Sequence, residues 1–93
     1  MNFAFLIMGE FDAAKDRATL PDGTVKVVGV SSVEEACMAA QALVASGTQC
    51  IELCGAFGEM GARKVIEATG NKIPIGFVTH LPEQNGIFQA VFP

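Results

Sequence analysis

Hydrophobic and polar positions divide the chain into extended and helical stretches. Residues 2–8, NFAFLIM, form a nearly continuous apolar run. An extended segment that is apolar at successive positions suits a central strand covered on both faces. Gly9 ends the run, and residues 9–16 read as a polar loop in which Asp12 can cap a short turn. Residues 17–20 and 24–30 flank Pro21-Asp22-Gly23. Proline presets φ and glycine accepts positive φ, so this junction predicts a tight hairpin. Val25, Val27, Val28 and Val30 make its second arm β-branched and strand-like.

The period then changes. Val33, Ala36, Cys37, Ala40, Leu43 and Val44 recur at helical spacing. Ser31 and Ser32 each stand three residues ahead of a glutamate, the spacing of a capping box. Those glutamates also complement the positive end of the helix dipole. Gly47 is the expected stop. Residues 48–54 form the next strand. Residues 58–69 form the next helix, with Ala62, Val65, Ile66 and Thr69 inward and Arg63, Lys64 and Glu67 outward. Gly70-Asn71 ends it, and residues 73–79 are a further buried strand. Pro74 lacks a donor but is tolerable near a strand start. Residues 87–92 are apolar and read as a C-terminal edge strand, or as a segment exchanged between subunits.

Strands alternate with helices from residue 24 onward. That order predicts an α/β fold: a small, mostly parallel sheet of about four main strands with right-handed crossovers, plus an N-terminal hairpin. Ninety-three residues make one domain.

Composition adds an expectation about surface. The chain is 51% hydrophobic and 17% charged, against about 25% charged in an average domain. A small domain so poor in charge leaves apolar surface over, and a homo-oligomer that hides it is expected. The net charge is −4. No basic run or basic-aromatic stripe is present, which argues against nucleic-acid partners. No stretch approaches the ~20 apolar residues of a membrane span. The apolar opening is short and lacks a basic leader, so it reads as a strand rather than a signal peptide. Cys50 and Cys54, four apart on one strand, would stand ~13 Å from each other, too far to pair. Unpaired cysteines point to a reducing, cytoplasmic setting.

Candidate chemistry gathers in residues 48–63, TQCIELCGAFGEMGAR. This is a strand, a glycine-rich turn and a helix start, an arrangement that suits a small anion. Glu52 shares one strand face with Cys50 and Cys54. A carboxylate in an apolar strand is costly unless paired. It serves either as a general acid or base, or in an ion pair with Arg17, Lys26 or Arg63. Cys54 stands where a nucleophile would, just ahead of a helix, with His80 as a base arriving at the same sheet edge. The alternative for Cys54 is a small buried hydrophobe. Gly55, Gly58 and Gly61 are spaced neither as a dinucleotide fingerprint nor as a P-loop. Their amides, assisted by Arg63, can hold a carboxylate or phosphate, or the glycines simply allow close packing. The cysteine spacing lacks zinc-site geometry, and no metal or cofactor is expected.

The segments DRATL, VKVVGV, EEAC, IELCGAFGEMGARKVIEATG and IPIGFV, above all the motif ELCG-x-FG, resemble a family of small prokaryotic α/β proteins known only as a domain of unknown function. The resemblance spans residues 2–79. It implies a compact single domain and brings no catalytic residue with it.

These readings converge on a small α/β protein that binds an anionic molecule at the C-terminal edge of its sheet. Two alternatives stand beside it. One is an isomerase, lyase or hydrolase using Glu52 as acid or base. The other is a structural or interaction module joined through its tail.

Overall fold

A computed structural model describes residues 1–93. It is an α/β structure with five strands in one sheet. The strands are β1 (Phe3–Met8), β2 (Arg17–Thr19), β3 (Val25–Val30), β4 (Cys50–Leu53) and β5 (Ile75–Phe77). Their order across the sheet is β2-β3-β1-β4-β5. β1 lies at the centre, parallel to β3 and β4, and β5 is parallel to β4. Only β2 runs antiparallel, paired to β3 through the expected hairpin. Asp22 holds that turn by accepting hydrogen bonds from the Thr24 amide and hydroxyl.

Helix α1 (Val33–Ala45) joins β3 to β4, and α2 (Gly58–Ala68) joins β4 to β5. The start of α1 uses both halves of its capping signal. Ser32 Oγ accepts from the Glu35 amide at 3.1 Å, and the Glu35 carboxylate accepts from the Ser31 amide at 2.9 Å. Ala36, Ala40 and Leu43 of α1 and Ala62 and Val65 of α2 face the core with Leu6, Val28, Val30, Ile51 and Leu53. The small residues bring the two helices close. Gln41 Nε2 donates to the Ala68 carbonyl at 3.0 Å, tying α1 to the end of α2. No helix is long and apolar enough to cross a membrane.

The buried strand expected over residues 73–79 is only Ile75–Phe77, half-buried at Ile75 and Gly76 and exposed at Phe77, and two larger expectations are corrected. The first is the coverage of the sheet. Both helical crossovers step in the same direction, β3 to β4 and β4 to β5. Right-handed connections that step the same way place their helices on the same face, and α1 packs directly on α2. The β1-to-β3 connection contains a hairpin strand and no helix. Hence β1 is covered on one face only. Ala4 and Leu6 are fully buried, whereas Phe5 and Ile7 are 37% and 40% exposed.

The second is the tail. Residues 87–92 form no edge strand. Pro82–Gln84 is a 3-10 turn and Asn85–Val91 is helix α3. Pro82 occupies the first position of the 3-10 turn, where its missing donor costs nothing. The chain has by then left the sheet, so no neighbouring strand supplies a ladder.

Candidate functional site

Glu52 lies on the open face of the sheet. Its partners in register are Phe5 on β1 and Gly76 on β5. Alternation places Phe3, Phe5, Ile7, Val25, Val27 and Cys50 on that same face, as the register confirms. Glu52 is thus the one charged residue that the parallel strands place on that face, with Asp16 and Arg17 at its β2 border. It forms no ion pair with Arg17, Lys26 or Arg63, since the sole salt bridge of the chain is Arg63–Glu59. No side chain or amide donates to it either. Its carboxylate lies above Gly76, so closely that a Cβ there would stand 2.7 Å from Oε1. The half-buried carboxylate therefore has its hydrogen-bonding capacity free. Burial first, and the Glu52 charge second, push the neighbouring Cys50 thiol above its ordinary pKa.

Cys54 follows β4 at the edge where the strands end. Its Sγ accepts a hydrogen bond from the Met8 amide at 3.3 Å, so the thiol is turned toward β1. The 3-10 turn Gly55–Phe57 comes next. The amides of Gly55 and Ala56 head this turn and find no acceptor within it, and both residues are exposed. Gly58 then has φ 62° and ψ −174°, a conformation open essentially to glycine alone. This residue swings the chain from the turn into α2. Phe57 is buried against the core.

The other two glycines differ in role. A Cβ at Gly55 would meet only the Val78 carbonyl, at an ordinary 3.5 Å. At Gly61 it would press on Phe57 Cβ at 3.2 Å and lie 3.6 Å from Val33 Cγ2. Gly61 is buried where α2 meets Phe57 and α1, so it serves packing.

Arg63 stands apart from the turn. It pairs with Glu59 one helical turn earlier at 2.6 Å, with both side chains largely exposed on α2. Its position on the outward side of the helix matches the periodicity and leaves no basic group at the glycine turn. His80 also makes only local contacts. Its Nε2 hydrogen-bonds Asn85 Oδ1 at 2.7 Å, and its ring stacks on Phe88 with centroids 3.9 Å apart. It lies outside hydrogen-bonding reach of Cys54. Glu52, Cys54 and Gly55–Gly58 thus follow one another at the end of β4, Glu52 on the open face and Cys54 against the core, while Arg63 and His80 are engaged elsewhere.

Sequence reasoning missed Gly76 and Phe11. Phe11 folds over Gly29 on the open face, its Cβ and Cγ each 2.7 Å from where a Gly29 Cβ would be. A hollow of about 260 Å³ lies there, lined by Ile7, Phe11, Ala18, Val27 and Gly29 and by the charged Asp16 and Arg17. A glycine inside an otherwise strand-like run is the available signal, since it marks a close approach by another group. A second hollow, of about 340 Å³, lies at the far ends of α1 and α2 between Gln41, Val44, Glu67 and Lys72.

A model of a family of unknown function, DUF6506, matches residues 1–93, so the likeness extends through the C-terminal tail. No curated protein and no solved structure matches the chain.

Proposed function

The chain belongs to DUF6506, a family of unknown function, and on that premise we propose that it binds a small anionic molecule at the C-terminal edge of its sheet. The unpaired Glu52 carboxylate, held above Gly76 on an apolar face, carries this reading. A ligand placed there has two complementary ends. Its anionic group meets the amides of Gly55 and Ala56, where helical geometry leaves donors free. A hydroxyl or amino group of the same molecule donates to Glu52, which satisfies a carboxylate otherwise left to solvent. The apolar surround of Phe5 and Val27 lowers the local dielectric and strengthens both contacts. The same unpaired carboxylate favours a second reading, an isomerase, lyase or hydrolase with Glu52 as acid or base.

The test is a thermal-shift titration with inorganic phosphate, glycolate and glycerol phosphate. Wild type should be stabilised by at least one of the three. Gly55→Asp, whose Cβ would make only an ordinary 3.5 Å contact with the Val78 carbonyl, should fold and lose the shift through repulsion of the anion. Absence of any shift in wild type, or an equal shift in Gly55→Asp, would overturn the assignment.

A further inference from the structure

The chain carries two apolar surfaces that its own fold leaves uncovered. One is the open sheet face, built from Phe3, Phe5, Ile7, Phe11 and Val27. The other is the C-terminal arm. Every residue from 77 to 93 is exposed, among them Leu81, Ile87, Phe88, Val91 and Phe92. Glu83 is the single formally charged residue of positions 79–93, a composition unlike that of a solvated tail. The arm has internal order: the His80–Asn85 hydrogen bond, the His80–Phe88 stack and a second stack of Phe88 on Phe92. Yet α3 has seven residues, and helices below ~12–15 residues are marginal in water unless packing supports them.

From these observations we infer that the arm of one copy docks on the open sheet face of a second copy, and the reverse, in a two-fold symmetric dimer. The surface area fits this assembly. A compact monomer of this mass exposes about 5,100 Å², whereas this chain of 9.7 kDa exposes 6023 Å². The surplus of about 900 Å² matches the ~800 Å² that each partner contributes to a standard stable interface. The radius of gyration tells the same story, at 13.4 Å against about 12 Å for a compact chain of this length. The hollow beside Phe11 and Val27 gives an aromatic side chain of the arm a place to anchor. A second copy is favoured over other occupants because the exposed arm and the bare face occur in the same chain. Reciprocal exchange covers both at once. In such a dimer the arm also roofs the face that bears Glu52. The inference itself does not depend on any ligand.

The experiment is sedimentation velocity on the full chain at tens of micromolar, with far-ultraviolet circular dichroism to verify folding. Wild type should sediment at twice the chain mass. The variant Ile87→Asp/Phe92→Asp, altered only in the exposed arm, should stay folded and dissociate at least tenfold more readily. Val27→Asp, on the face, should do the same. An equimolar mixture of the arm variant and the face variant retains one intact arm and one intact face, and should recover a heterodimer. A monomeric wild type would overturn the inference, including the case where the arm folds back on its own sheet. So would a dimer indifferent to the arm substitutions.

Discussion

The Glu52 carboxylate lies over Gly76, its register partner across β4 and β5, in space that any side chain at residue 76 would fill. The pair marks the candidate site: the glycine is the floor, and the carboxylate is the one charge that the parallel strands place on the face. In Gly76→Ala the new methyl group meets the far end of a flexible side chain, so Glu52 swings away and the sheet persists. The cost of displacing Glu52, about 0.5–1.5 kcal/mol, is offset by about 0.5–1 kcal/mol from the smaller entropy loss of alanine. Denaturant unfolding should therefore find stability within about 1 kcal/mol of wild type. The ligand-dependent thermal shift should be lost in the same variant.

Gly29 presents the opposite case. The nearest atoms to a Cβ there are Cβ and Cγ of Phe11, both at 2.7 Å. The Phe11 Cβ is fixed by its backbone, so the loop between β1 and β2 must move. Gly29→Ala should lose about 1–3 kcal/mol, as overpacking does. Adding Phe11→Ala removes the obstacle and should recover most of that loss. Equal unfolding midpoints for the single Gly29→Ala and the double variant would show that Phe11 is not the obstacle.

The thiols give a pH signature. Burial chiefly, then the charge of Glu52, raises Cys50 above the ordinary value of 9.0. Burial chiefly, then Glu34, raises Cys37. A thiol whose pKa is higher in the folded state binds its proton more tightly there. Its contribution to stability is intact below 9.0 and declines as pH rises through the folded value. The unfolding midpoint should fall above that pH. Glu52→Gln removes the smaller of the two causes acting on Cys50. Alkylation by iodoacetamide, followed residue by residue with mass spectrometry, should shift to lower pH at Cys50 and stay in place at Cys37. An unmoved Cys50 would mean that Glu52 does not act on it.

The strand and turn that carry the candidate site were legible in the chain because their signals are local. Cys50 and Glu52 share a strand side by simple alternation, and a glycine turn after a strand marks a helix start; Cys54 lies beyond the strand and packs against the core. The role of His80 depended on the path of the chain beyond β5, whereas the outward position of Arg63 was already given by helical phase. Arg63 points outward because helical phase carries it to Glu59. His80 belongs to the arm because the chain turns away at Pro82. Gly61 looked like a ligand glycine and is a packing glycine, since only the assembled core brings Phe57 and Val33 against it.

The sequence by itself determined the order of elements as far as β5, the hairpin at Pro21-Asp22-Gly23, a serine cap ahead of Glu34 and Glu35 and the alternating apolar positions of the strands. Those features follow from φ preferences, side-chain capping and periodicity over a few residues. Tertiary structure decided which apolar positions are covered. Strands in the order β2-β3-β1-β4-β5, joined by two right-handed helical crossovers that step the same way, bury Leu6 and leave Phe5 bare. Local apolarity at residues 2–8 is the same on both sides, and only the handedness of distant connections tells them apart.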